Sequence, residues 1–84
     1  MDAKGRLPTE RELRRRLDAL EADARAELLR VLELADEDRA DQTASFFADP
    51  RGKIVGELLI ELEKEPVARA FVTTELRIMT RQDA

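Results

Sequence analysis

An apolar stripe at helical spacing, running from Thr9 to about Ala35, constrains the fold of this chain more than any other feature. The spacing predicts one amphipathic helix over about 9–35, which at about 1.5 Å per residue is about 40 Å long. The later apolar segments are about half as long, so they would leave one end of the stripe uncovered. We therefore expect a partner for it, most simply a second copy of the chain. The stripe consists of Leu13, Leu17, Leu20, Ala24, Leu28, Val31 and Leu34.

A capping box marks the start of this helix, since Thr9 is followed three residues later by Glu12. The threonine oxygen can accept from the amide of residue 12, while the glutamate accepts from the amide of residue 9. Residues 1–8 contain Gly5 and Pro8 and precede any periodic pattern. They are predicted to be a flexible lead-in.

Three shorter helices are predicted after the first, over about 38–47, 50–64 and 66–80. The last two begin with an acidic residue before a proline, a pair that suits the first turn of a helix. The segment 67–79 also alternates as a strand does, so helix and strand both stay open there. Residues 81–84 are expected to fray. The two acidic-proline pairs are Asp49 with Pro50 and Glu65 with Pro66.

Together these elements indicate an all-α fold, a small oligomeric helical bundle that forms a single domain over about 9–80. A chain of 84 residues buries only a small core, and association is a usual way to stabilise one. The narrow part of the first stripe has the character of a two-helix seam, whereas its broader end belongs to the core. The predicted core contains Leu28, Leu32, Ile54, Leu58, Leu62, Phe71, Val72 and Leu76. The predicted protein interface contains Leu13, Leu17, Leu20, Ala24 and Phe46.

Phe46 is assigned to the interface by its position on the third stretch of helix. On a helix whose inner face runs through Ala40, Ala44 and Phe47, the neighbouring Phe46 points about 100° away. Aromatic side chains in so small a protein are more often packing anchors than binding residues, so core and surface both stay open for Phe46.

The residue types present exclude several classes of function. The chain has no cysteine and no histidine, so a disulfide is impossible and a zinc site is nearly so. A nucleophile held beside a base is hard to assemble from the remaining side chains, so we predict no enzyme and no cofactor. The acidic run at 36–41 lacks the ligand spacing and glycine of a calcium loop, so no metal site is predicted. Without a signal-peptide core or an apolar run of membrane-spanning length, the expected location is the cytoplasm, with no membrane contact.

The arginines of the first helix give the strongest indication of a nucleic-acid site. Arg11, Arg14 and Arg15 fall together on the face opposite the leucine stripe, where they could follow a phosphate backbone. Asp18 lies in the middle of that face and Glu10 flanks it, so the local field is largely cancelled. No aromatic residue accompanies the arginines for base stacking, and the net charge of the chain is −4. A solvated, salt-bridged face is therefore favoured over a nucleic-acid contact.

The predicted function is that of a small non-catalytic interaction or regulatory module that acts as a helical homo-oligomer, most simply a homodimer, and also binds another protein. Two alternatives stay open. One is a DNA-binding transcriptional regulator that uses the Arg11–Arg16 face. The other is a monomeric adaptor or inhibitor that docks its long helix on a larger protein.

Overall fold

The computed structural model describes residues 9–83, and this part of the chain is all-helical, as the sequence predicts. The segment 67–79 is helix and not strand. The predicted lead-in at 1–8 and residue 84 lie outside the described residues. None of the helices within 9–83 combines the length and the apolar character needed to cross a membrane. The helices are α1 (Glu10–Asp18), α2 (Ala22–Leu32), α3 (Asp36–Phe46), α4 (Lys53–Glu63) and α5 (Pro66–Asp83).

The prediction of one long helix over 9–35 is wrong, because the chain bends at residues 19–21 and forms α1 and α2 instead. Ala19 keeps helical backbone angles, whereas Glu21 is extended, with φ −72° and ψ 159°. No glycine or proline occupies the bend. Two short helices can direct the apolar side chains of both halves of the stripe to one core, which a straight helix cannot.

Arg25 compensates for the hydrogen bonds that the bend removes. Carbonyl groups at the end of a helix have no partner within the helix. The Nη1 of Arg25 donates to the carbonyl oxygens of Leu17, at 3.2 Å, and of Leu20. The bend is therefore stabilised by a side chain from the helix that follows it.

The first part of the stripe is covered within a single chain. Leu13 is 2% exposed and Leu17 is fully buried. α1 packs against α5, and Arg16 of α1 donates to Glu61 of α4 at 3.0 and 2.9 Å. The premise that the stripe outruns the chain's own core is wrong, and the homo-oligomer remains a prediction without that support.

The apolar core is built by α1, α2, α4 and α5. The assignment of Ile54 to the core is wrong, because its side chain is 63% exposed. The buried positions of α4 follow the spacing of one helix face, and Ile54 lies about 100° from the first of them. Phe71 is half-buried against the core. The buried apolar residues are Leu13, Leu17, Leu28, Val31, Leu32, Val55, Leu58, Leu59, Leu62, Ala68, Val72 and Leu76.

Two helix boundaries follow local rules that the sequence makes visible. The predicted capping box is confirmed, with Thr9 Oγ1 accepting from the Glu12 amide and Glu12 Oε1 accepting from the Thr9 amide, both at 3.1 Å. α5 begins at Pro66 as predicted. It continues to Asp83, beyond the predicted end at 80, and so includes described residues that were expected to fray.

The start of α4 differs from the prediction. The helix begins at Lys53 and not at Pro50, because residues 50–52 form a turn. The side chain of Asp49 accepts a hydrogen bond from the Arg51 amide at 3.0 Å, which is typical of an aspartate that begins a turn. The pair of Asp49 and Pro50 therefore begins a turn, whereas the pair of Glu65 and Pro66 begins helix α5.

Candidate protein-binding groove

An open groove, which we call the α2–α4 groove, lies between two parts of the chain. One side is the α1–α2 bend with the first turns of α2, and the other is the α3–α4 connection with the start of α4. Its volume is about 840 Å³, comparable to the sites in which proteins hold ligands. Apolar side chains line it from both sides, and they are Ala19, Leu20, Ala24, Phe46, Ile54 and Val55.

The bend between α1 and α2 forms the first side of the groove. The amide of Leu20 donates to the Leu17 carbonyl at 3.1 Å, which closes the last turn of α1. Leu17 is buried in the core, whereas Leu20 and Ala24 are half-buried and line the groove. The bend thus divides the stripe between the core and this surface.

A close approach between Phe46 and Gly52 forms the second side. A Cβ atom at residue 52 would lie 2.7 Å from the Phe46 carbonyl oxygen and 3.1 Å from ring atom Cδ1. Only glycine therefore lets the α3–α4 connection close this tightly. The Phe46 ring thus lies beside Gly52, and both residues line the groove together with Ile54, two positions after Gly52.

The rim of the groove is acidic. Glu21, Asp23 and Glu27 line the α2 side, and Asp49 and Arg51 line the side of the α3–α4 connection. With four acidic residues and one basic residue among its lining residues, the groove presents a negative rim around an apolar floor. Such a surface attracts cationic groups and repels phosphate.

The structure brings together part of the interface predicted from the sequence. Leu20, Ala24 and Phe46 lie in the α2–α4 groove. Leu13 and Leu17 do not, because both belong to the core, and their assignment to a surface has lost its basis.

Sequence reasoning missed Ile54 as a surface residue. The helical register of α4 contains the signal that Ile54 is exposed. Ile54 comes one position before the first residue of the buried face, and one position is a rotation of about 100° around the helix. That face contains Val55, Leu58, Leu59 and Leu62.

The predicted nucleic-acid residues form a separate surface on α1. Arg11, Arg14 and Arg15 line a shallow depression together with Glu10 and Asp18. The two carboxylates lie among the arginines, as the helix projection predicts.

Arg14 is further neutralised by a residue of α5. Its Nε lies 3.3 Å from Glu75 Oε1. Within residues 9–83, Arg11 and Arg15 form no ion pair. Two arginines thus remain available on this face, which is too few to dominate its field.

A charged cluster around Arg39 joins α3 to α4. Arg39 is only 6% exposed and donates to Asp36 at 2.6 Å, to the Leu34 carbonyl at 2.9 Å and to both carboxylate oxygens of Glu63. Arg69 donates to the same glutamate at 3.3 Å. Every buried polar side-chain atom among the described residues has a hydrogen-bond partner. This cluster is therefore a structural contact between α3 and α4.

The pKa values in this cluster shift in the directions that the contacts require. The hydrogen bond from Arg39 holds the pKa of Glu63 below its ordinary value, although burial acts in the opposite direction. The same bond raises the pKa of Arg39. Arg16 lowers the pKa of Glu61 in the same way. Both carboxylates therefore stay ionised at neutral pH and serve to hold helices together.

The α2–α4 groove is the feature of the described residues that best fits a binding site. Between residues 9 and 83, no three acidic side chains are gathered closely enough to hold a metal ion. The polar groups of the groove are carboxylates, one arginine and the hydroxyl of Ser45. The chain matches no family model, no curated protein and no solved structure with which it was compared.

Proposed function

We propose that this chain is a small non-catalytic protein-interaction module that holds a segment of a different protein in the α2–α4 groove. The observation that carries the proposal is the exposure of Ile54, 63%, at a groove whose other apolar side chains are Ala19, Leu20, Ala24, Phe46 and Val55. The core of the described residues contains twelve buried apolar side chains, and Ile54 is not one of them. An apolar concave surface beside such a core is typical of a site that a partner covers.

The polar groups of the groove support binding over catalysis. Ser45 contributes the only hydroxyl among the lining residues, and its Oγ donates to the Gln42 carbonyl at 2.8 Å. The hydroxyl proton is thus engaged in a hydrogen bond within α3. A nucleophile needs a base within hydrogen-bond reach, and the chain contains no histidine to supply one.

The charge of the rim favours a different protein over a second copy. In a twofold pairing of groove against groove, a rim with four acidic residues and one basic residue would face an identical rim of the other copy. Like charges across an interface oppose association. The homodimer predicted from the sequence therefore has less support than a hetero-complex.

The same rim speaks against a nucleic acid in the groove, since phosphates would meet carboxylates. The face with Arg11 and Arg15 offers an alternative surface, but Glu10, Asp18 and Glu75 offset much of its charge. A protein partner at the groove is the better supported function.

The experiment is a selection of binding peptides from a displayed random library, using the purified full chain as target. Peptides of about 16 residues would span about 24 Å as helices. Each recovered peptide is then measured against wild type, Ile54→Ser and Val67→Ser. The last variant is the matched control, because Val67 is a β-branched residue that is 77% exposed and lies outside the groove.

We expect recovered peptides that lose at least about tenfold in affinity with Ile54→Ser and keep their affinity with Val67→Ser. Both variants should unfold at the wild-type denaturant concentration, since surface changes of this kind alter stability by less than about 0.5 kcal/mol. If no bound peptide depends on Ile54, the groove is not the binding site. Self-association that disappears in Ile54→Ser, measured by sedimentation equilibrium, would assign the groove to a second copy and overturn the hetero-complex.

A further inference from the structure

We infer that the segment held in the α2–α4 groove is a basic amphipathic one, whose apolar side chain contacts Phe46 and Ile54 and whose lysines or arginines lie along α2. This inference rests on the proposed function, because it specifies the chemistry of the partner at the same site. It follows from how the charges are divided between the two sides of the groove.

The α2 side carries acidic groups that the chain itself leaves unneutralised. Glu21 and Asp23 lie at the start of α2, are exposed and have no cationic partner among residues 9–83. Glu27 follows Asp23 by one helical turn and is bound by Arg30. Asp23 and Glu27 therefore share one face of α2, with Glu21 at its N-cap, and two of these three carboxylates are free.

The opposite side carries no comparable charge. It contributes Asp49 and Arg51, whose formal charges cancel. One oxygen of Asp49 is already engaged by the Arg51 amide at 3.0 Å. Cations of a bound segment would therefore gain more from the α2 side than from the α3–α4 connection.

The apolar floor fixes where the uncharged part of the segment lies. Phe46 is half-buried against the core, and Ile54 is more exposed than any other large apolar residue of the groove. An aliphatic or aromatic side chain between them would cover the exposed part of both. A helix with cations four residues apart beside this side chain would match the one-turn spacing of Asp23 and Glu27.

The test compares two double variants that remove the same charge from different places. Glu21→Gln with Asp23→Asn neutralises the free carboxylates of the α2 side. Glu10→Gln with Glu37→Gln is the matched control, because both glutamates lie in the first turn of a helix and at the opposite end of that helix from the groove. The probes are the recovered peptides whose binding depends on Ile54, measured at about 0.05 M and about 0.5 M salt.

We expect these peptides to contain more lysine and arginine than aspartate and glutamate, and to bind more weakly at the higher salt concentration. The Glu21→Gln, Asp23→Asn variant should weaken binding at least about fivefold, a change of about 1 kcal/mol, and the control less than about twofold. Peptides that depend on Ile54 but are neutral or acidic, or are unaffected by the α2 variant, would overturn the basic segment and leave the proposed function standing. If no peptide depends on Ile54, the proposed function and this inference both fail.

Discussion

Arg25 of α2 and Asp83 of α5, which are 58 residues apart in the sequence, form an ion pair in which Nε and Nη2 of the arginine lie 3.3 and 3.1 Å from the same carboxylate oxygen. The guanidinium group also donates to the carbonyl oxygens of Leu17 and Leu20. One side chain thus connects the end of α1, the start of α2 and the end of α5. The geometry of the α1–α2 bend therefore depends on a residue at the far end of the chain.

Arg25→Met tests the contribution of the guanidinium group to the bend. The substitution keeps an apolar stem but removes the guanidinium donor of the Leu20 carbonyl and one of the two donors of the Leu17 carbonyl, which keeps its bond from the Leu20 amide. We expect the free energy of unfolding, measured by urea denaturation, to fall by about 1–3 kcal/mol. Asp83→Asn removes only the partly exposed ion pair and should cost less than about 1 kcal/mol. Equal losses in the two variants would mean that the bonds to α1 contribute little.

Leu17→Ala tests whether the first helix belongs to the core of a single chain. Leu17 and Leu58 are both buried within one chain, so truncation of either should lower the free energy of unfolding by about 2–5 kcal/mol. The loss should not depend on protein concentration. A seam residue between two copies would instead give a wild-type stability that falls on dilution and a loss that shrinks with it, because dilution removes the association that the truncation weakens, and this result would restore the homodimer interpretation.

Gly52→Ala and Gly56→Ala distinguish a rigid close contact from a flexible one. A Cβ atom at residue 52 would meet the Phe46 carbonyl oxygen, which belongs to the backbone, whereas one at residue 56 would meet the Phe47 ring at 2.7 Å. That ring is 41% exposed and can move outward. We expect Gly52→Ala to destabilise by about 1–3 kcal/mol.

For Gly56→Ala we expect a change within about 1 kcal/mol, because the gain in helix propensity offsets the displaced ring. Phe47→Ala should make the same substitution stabilising. Thermal and urea unfolding of the single and double variants would measure this coupling. A larger loss for Gly56→Ala than for Gly52→Ala would mean that the Phe47 ring is held as firmly as the backbone.

The ion pairs of Glu61 and Glu63 predict how stability depends on pH. Arg16 and Arg39 lower the pKa values of these carboxyl groups in the folded chain. Their contribution is therefore complete above the unfolded value, about 4.3, and is lost as the pH falls through the lower folded values. We expect urea unfolding to show a stability that declines below about pH 4.3.

Glu63→Gln is the variant that identifies the stronger of the two pairs. It should lower the free energy of unfolding at pH 7. It should also make the fall of that free energy at acid pH shallower, because it removes a carboxyl group whose pKa is lowered in the folded chain. Glu61→Gln should act in the same direction with a smaller effect, since Arg16 is more exposed than Arg39. An acid decline of unchanged slope in Glu63→Gln would assign the pH dependence to other carboxylates.

Much of the fold is predictable from the sequence because the start and the periodicity of a helix depend on residues that are close together in the sequence. The capping box at Thr9, the start of α5 at Pro66 and the helical character of α4 each depend on neighbouring residues. The bend at 19–21 is not predictable in this way, since no residue in it breaks a helix. Its cause is the burial of Leu17 together with the bonds of Arg25, and both depend on helices that come later in the sequence.

The candidate groove was predictable only in part. Phe46 is predictable because helix periodicity separates it from the inner face of its helix. Leu20 and Ala24 are predicted at an interface only as part of the narrow stripe, and the same reasoning wrongly includes the buried Leu13 and Leu17. Ile54 was not, because an isoleucine in an apolar segment reads as core until the register of the buried face is known. The acidic rim combines residues from α2 and from the α3–α4 connection, and their proximity is a tertiary property.

The α1–α2 bend has a consequence for how binding and folding are linked. Local backbone preference favours a continuous helix through residues 19–21, whereas the packing of the whole chain requires a bend there, so the two oppose each other at this position. The bend provides Leu20 and Ala24 to the groove and is stabilised through Arg25 by the last turn of α5. Under the proposed function, we therefore expect occupation of the groove and docking of α5 to be thermodynamically coupled, so that a bound segment would stabilise the carboxyl-terminal end of a helix that does not line its site.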